Sequence, residues 1–198
     1  FKGATLEQVT FSNGGLQLKG GNAKTSIADL MKKSGSADLD LIEEAKPGDE
    51  GKNHSKYSYS VHFAEVHVHS VTGRVKVAKV VTCADAGRII NMKTAGNQMI
   101  GGVTGGIGMA LHEDAVMDHR FGRYMTKDLA DYHVPVHADV PHIEVRFVNK
   151  PDFIVDPMGT KGIGEIAIIG VAPAIANAIF NATGKRIRKL PITPDKLI

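Results

Sequence analysis

From Gly159 to Phe180 the chain reads GTKGIGEIAIIGVAPAIANAIF, which sets one carboxylate, Glu165, between closely spaced glycines and a long apolar run. An acid at the mouth of an apolar segment is desolvated, which raises its pKa, while backbone amides or a helix N-terminus nearby hold it ionised. A buried but ionisable acid is what a general base requires. The run Ile166, Ala167, Ile168, Ile169, Val171, Ala172 has almost no polar side, so the segment is expected to be buried all round. The residues alone leave the contest even between a buried base and blander roles for Glu165, as a helix-start acid or as the partner of Lys161.

A second feature is the glycine pattern on a helix expected around residues 97–117. Gln98, Gly101, Gly102, Gly105 and Gly108 recur at spacings of three and four, so one side carries almost no side chains and has an amide at its N-terminal end. The bare strip suits tight packing on another element, or a cofactor lying along it; Gln98, with two donors and an acceptor, tips the balance slightly toward the cofactor. Other patterns fall short. In VHFAEVHVHS, strand geometry puts His67 and His69 on one face and His62 on the other, which reads as exposed strand histidines rather than a metal cluster. HEDAVMDH has Val116 where a zinc helix needs its second histidine. Leu111 stands where a dinucleotide fingerprint needs a small residue, and no Gly-Lys pair precedes Ser or Thr.

The elements around these residues follow from composition and turn chemistry. The 198 residues are 42% hydrophobic, enough for a real core, and 24 Lys and Arg against 21 Asp and Glu give a formal charge of +3 spread along the chain. That is too mild to argue for nucleic acid, and no 18-residue apolar run suggests a membrane span. The single cysteine, Cys83, excludes an internal disulfide framework and is compatible with both cytoplasm and periplasm. A start at Phe1 without a leader points to a processed or truncated chain, or to a fragment. Alternation around Asn13-Gly14 predicts a hairpin, and TSIADLMKKSG predicts a helix capped by Ser26 and ended by Gly35. Residues 34–56 are polar and Gly/Pro-bearing, so a surface connection is expected, dividing an N-terminal segment (1–56) from the rest (57–198). Tyr57 to Cys83 predicts two long antiparallel strands about Thr72-Gly73, PHIEVRFV another strand, and the apolar run a helix ending near Gly184 that starts or kinks at Pro173. This order without βαβ regularity predicts an α+β fold with mixed or antiparallel sheets.

Three stretches in order, DAGRIINMKTAGNQMIGGVTGGIGMALHED, DLADYHVPVHADVPHIEVRFV and GTKGIGEIAIIGVAPAIANAIFNATGKRIRKLPITPDKL, resemble the C-terminal part of the molybdenum-binding subunit of the xanthine dehydrogenase and aldehyde oxidoreductase family. The likeness is strongest to the bacterial three-subunit aldehyde oxidoreductases and covers roughly residues 57 to 198. It implies that Glu165, the acid of the K-G-x-G-E motif, is the active-site base, acting on a hydroxide bound to molybdenum whose oxygen attacks an aldehyde or N-heterocycle carbon while hydride passes to the metal's sulfido ligand. It implies that Lys161, Gly162, Ile163 and Gly164 contact the pterin largely through their backbone. A second contacting motif comprises Arg88, Ile89, Ile90, Asn91, Met92, Lys93, Thr94 and Gln98. The implied cofactor is molybdenum-molybdopterin, in simple or cytosine dinucleotide form, with 2Fe-2S clusters and FAD on an iron–sulfur subunit and an FAD subunit. Gly105, where relatives often carry Gln, and Pro173 depart from the pattern. Because further cofactor contacts and most of the substrate pocket belong to the remainder of the large subunit, this chain alone is expected not to turn over. The competing expectation is a non-catalytic assembly or binding domain of the same fold; a His-dependent metal hydrolase using His67 and His69 is a third.

Overall fold

The computed structural model describes residues 1, 3–38, 40, 42, 44 and 49–198. They form two units, Phe1–Pro47 and Gly48–Ile198. The first is a three-stranded antiparallel sheet, β1 (Val9–Ser12), β2 (Gly15–Leu18) and β3 (Lys24–Ser26), followed by helix α1 (Ile27–Ser34). The hairpin forms at Asn13-Gly14 because both residues take positive φ, 49° and 70°. Ser26 Oγ accepts from the Asp29 amide at 3.0 Å and Gly35 closes the helix in the left-handed region. The third strand was not expected, being too short to show a period. Part of the expected surface connection, residues 39, 41, 43 and 45–48, lies outside the described residues.

After a short helix, α2 (Glu50–Asn53), the second unit carries the long hairpin β4 (Tyr59–Val68) and β5 (Val75–Asp85). β4 alternates without a break between exposed and half-buried positions, so Ser60, His62, Ala64, Val66 and Val68 face inward while Tyr59, Val61 and Phe63 face out. Helix α3 (Met92–Leu111) begins and ends earlier than expected, since Asn91 caps it and the chain leaves the helix at His112. The residues after it form a two-residue hairpin, β6 (Met117–Asp118) with β7 (Arg123–Tyr124). β8 (His142–Phe147) then pairs parallel to β5, giving a mixed sheet of order β4-β5-β8.

The apolar run is two helices, α4 (Ile166–Ile169) and α5 (Val171–Thr183), broken at Gly170. Pro173 lies in the first turn of α5, where its missing N–H leaves no gap. Two expectations need correction. Ile169 is 75% exposed, so the run is not buried all round. And the 18-residue window Ile166–Thr183, with mean hydropathy 1.7, is apolar enough to cross a membrane by length and composition. Its break at Gly170 and the fully buried stripe Val171, Ile175 and Ile179 instead mark a core element. That stripe meets Met99, Val103, Ile107 and Ala110 of α3 and Val77, Val80 and Ala84 of β5 in one apolar cluster.

Candidate functional site

The end of β5 and the start of α3 are joined by Ala86 to Asn91, and the loop before α4 returns beside them. Gly87 and Thr160 form an isolated antiparallel bridge. The Arg88 amide donates to Gly159 O at 2.7 Å and the Lys161 amide to Ala86 O at 3.0 Å. Gly87 has φ 65°, and a Cβ there would lie 2.4 Å from Gly159 O, so only glycine allows the two backbones to approach. Asn149 Oδ1 accepts from the Ile89 amide at 2.9 Å, fixing the next residue. Asn91 Oδ1 accepts from the amides of Lys93 and Thr94, starting α3.

Between these segments lies a cleft of about 330 Å³. Arg88, Ile89, Ile90, Asn91, Thr94, Gln98, Lys161 and Ile163, eight of the expected cofactor-contacting residues, line it. Met92, Lys93, Gly162 and Gly164 flank it without lining it. Ala86, Ala95 and Thr160 also line it and were missed; Ala95 was legible as the residue one helical turn beyond Asn91. The walls are apolar at Ile89, Ile90, Ala95 and Ile163, while the Arg88 guanidinium and the Gln98 amide are exposed and make no hydrogen bond among the described residues. A flat heteroaromatic ring with phosphate substituents needs this combination of apolar faces, a cation and an amide. The residues present therefore fit a pterin-type group.

The glycine strip on α3 resolves mostly as packing. A Cβ at Gly102 would lie 2.6 Å from Ala167 Cβ, and one at Gly106 would lie 2.5 Å from Val171 Cβ. Gly105 faces Ile168, and Gly108 faces Pro135 and Glu113. The strip thus seats α4 and α5, and only its N-terminal end, at Gln98, reaches the cleft.

Lys161 is the best-anchored residue of the loop. Its ammonium lies 2.9 Å from Asp85 Oδ2 and 3.6 Å from Asp152 Oδ2, with its side chain 10% exposed. Glu165 is therefore not its partner. The hydrogen bond from Lys161 holds the Asp85 carboxyl below its ordinary value, and Asp85 in turn raises the Lys161 ammonium. Asp85 then stabilises the fold above its ordinary pKa of about 3.9, and that contribution is lost as pH falls through the depressed folded value. The Lys161 contribution is complete below about 10.4 and lost as pH rises through the raised folded value. Asp85→Asn is expected to lower stability at pH 7 by about 1–3 kcal/mol, less than for a fully buried pair, and to flatten the acid-side loss. Denaturant titrations across pH 2–9 check both.

Glu165 is exposed, at the N-cap of α4, and its side chain makes no capping bond. The expectation of a buried acid is corrected: Gly164 and Glu165 form a bend that lifts the carboxylate off the core before Ile166 enters it. Beneath that bend, Ser58 Oγ donates to Gly162 O at 2.7 Å and Ser60 Oγ to Ile166 O at 2.8 Å. His62 Nε2 lies 2.9 Å from Ser60 Oγ; because that hydroxyl has given its proton to Ile166 O, Nε2 is the donor. His62 is half-buried, and burial pushes its imidazole below the ordinary histidine value. The remaining histidines offer no cluster. His69 Nδ1 accepts from the Val71 and Thr72 amides, and His67 sits beside Glu65. Among the described residues no group of three or more His, Cys, Asp or Glu could hold a metal ion.

The fold is that of a cofactor-binding domain, and sequence comparison says which. The model of the molybdopterin cofactor-binding domain family matches residues 2–141, and the chain belongs to that family. The aldehyde oxidoreductase molybdenum-binding subunit PaoC of Escherichia coli (strain K12) is 45% identical over 174 residues, 88% of this chain and 24% of that subunit. Quinoline 2-oxidoreductase from Pseudomonas putida 86 superposes with a TM-score of 0.78 at 25% identity, covering 98% of this chain and 25% of that one. The aldehyde oxidoreductase from Desulfovibrio desulfuricans ATCC 27774 gives 0.64 at 34% identity, over 71% of this chain and 15% of that one. The chain spans about a quarter or less of the length of these relatives.

Proposed function

We propose that this chain is the C-terminal lobe of a molybdenum hydroxylase large subunit, holding one side of a molybdopterin cofactor and supplying Glu165 as the general base. The supporting observation is the convergence of Arg88–Gln98 and Thr160–Ile163 on one cleft in a member of the molybdopterin cofactor-binding domain family. When bound, the molybdenum group would supply a two-electron sink and activate water-derived oxygen toward a substrate carbon. Arg88 and Gln98 bind the polar edges of the cofactor, Ile89, Ile90 and Ile163 pack its faces, and Lys161, held by Asp85, fixes the loop rather than touching the ligand with its ammonium. Glu165 receives the proton at its carboxylate oxygens. Aldehydes are the favoured substrates, with N-heterocycles behind them, since the 45%-identical relative is an aldehyde oxidoreductase subunit. The remainder of the large subunit completes the pocket, and iron–sulfur (2Fe-2S) and FAD subunits carry electrons away. The isolated chain is inactive.

The cofactor half of this reading is tested in the complete subunit expressed with its partners. Arg88→Ala with Gln98→Ala removes a cation and an amide donor, a loss of roughly tenfold or more in affinity from hydrogen-bond energetics. Metal analysis is expected to show a fall in molybdenum per subunit, and chromatography of the nucleotide released on hydrolysis identifies the dinucleotide form. Full molybdenum content in the double variant would place the cofactor elsewhere.

A further inference from the structure

We propose that Ser58 and Ser60 are positioning residues for Glu165, two hydroxyls at the entry to β4 that grip the carbonyls on either side of it; the inference rests on Glu165 being the base. Among the described residues no hydrogen bond or ion pair holds the Glu165 side chain, and its carbonyl only accepts from the Ile168 amide at 3.2 Å. Its side chain makes no capping bond, Gly162 and Gly164 precede it, and the space around Gly164 is open. Glycines widen the backbone freedom of such a loop, so its geometry has to be imposed from outside. Ser58 immediately precedes β4 and Ser60 is its second residue, and both are half-buried on either side of the exposed Tyr59, so in extended backbone their side chains lie roughly 7 Å apart. That spacing lets one hydroxyl reach Gly162 O and the other Ile166 O, bracketing the three residues that contain Glu165.

The grip is itself supported from behind. The His62 N–H points at Ser60 Oγ, which orients the hydroxyl toward Ile166 O. His62 is wedged in turn against Gly170, where a Cβ would lie 2.3 Å from the ring. A side chain at 170 would push the ring off Ser60. Ser60 and His62 are successive inward positions of β4 and Ser58 is the half-buried residue just before it, and together they register Gly162, Ile166 and Gly170 against that edge. An error of about 1 Å in placing a base costs on the order of 100-fold in rate, so a two-point grip on the adjacent carbonyls sets the rate without touching the substrate.

The test uses the complete subunit with its partners and compares wild type, Ser58→Ala/Ser60→Ala, Ser58→Thr/Ser60→Thr and each in a Glu165→Gln background. The alanine pair is expected to lower kcat roughly 10–100-fold, with KM and molybdenum content unchanged, and the threonine pair to restore it. Amide exchange of the peptide spanning 162–169 is expected to accelerate in the alanine pair, with or without Glu165, while the β5 peptide stays protected. In the Glu165→Gln background the serine changes should add little further loss, as expected for groups acting through one residue. Unchanged exchange, unchanged kcat in the alanine pair, or a fall in kcat that tracks loss of molybdenum would overturn the positioning role. Full turnover by Glu165→Gln alone would instead overturn the base assignment, and the exchange arm would then decide whether the serines hold the loop.

Discussion

Glu165→Gln in the complete subunit, assembled with its partners, is expected to lower aldehyde turnover by roughly 10²–10⁴-fold, the range for removing a general base, while molybdenum content stays at the wild-type level. The structure makes this substitution unusually clean. The Glu165 side chain is exposed, caps nothing and does not line the cleft. Lys161, the nearest cation in sequence, is engaged by Asp85 and Asp152 and loses no partner. Glutamine keeps the shape and removes only the proton acceptor, so the loss falls on kcat. Turnover and molybdenum measured on the same preparation separate a missing base from a missing cofactor. Retained turnover would return the acid to a structural role.

Gly87→Ala should have the largest effect on assembly of the site. The residue sits at φ 65°, where an L side chain costs about 1–2 kcal/mol, and its Cβ would press on Gly159 O at 2.4 Å. Relief requires moving Gly159–Lys161 away from Ala86–Arg88, which breaks the backbone hydrogen bonds Arg88 to Gly159 and Lys161 to Ala86 at about 1 kcal/mol each. The expected loss is about 3–4 kcal/mol. Gly122→Ala is the matched control, with φ 62° and open space around the new methyl, and should cost only the conformational part. Denaturation midpoints give the difference, and molybdenum content should fall for Gly87→Ala alone.

The local elements were legible because their signals are local. Asn13-Gly14, Ser26 with Gly35, Thr72-Gly73 and Gly184 each mark a turn or a cap where the structure has one. Long-range placement was not. Parallel pairing of β8 with β5 depends on a crossover that no periodicity encodes. Exposure of Glu165 depends on a bend at Gly164, and that of Ile169 on a break at Gly170, while hydropathy read the run as buried on all sides with a start or kink at Pro173. The glycines of α3 show the same limit: a bare helical face says that something approaches closely, and only the contacts of Gly102 with Ala167 and Gly106 with Val171 say that it is protein. The expected cofactor-contacting residues, Arg88–Thr94, Gln98 and Lys161–Gly164, came from an ordered resemblance, and geometry brings eight of the twelve to one cleft.

The two walls of the cleft come from segments about 70 residues apart, with the parallel strand β8 between them in the chain. A polypeptide growing from its N-terminus therefore presents Arg88 to Gln98 long before Thr160 to Ile163 exists. Until the later segment has emerged and Gly87 has met Thr160, the earlier one is an open surface with nothing opposite. A ligand gripped by both walls therefore needs the later segment to have folded back and closed this bridge, however early the first wall is made.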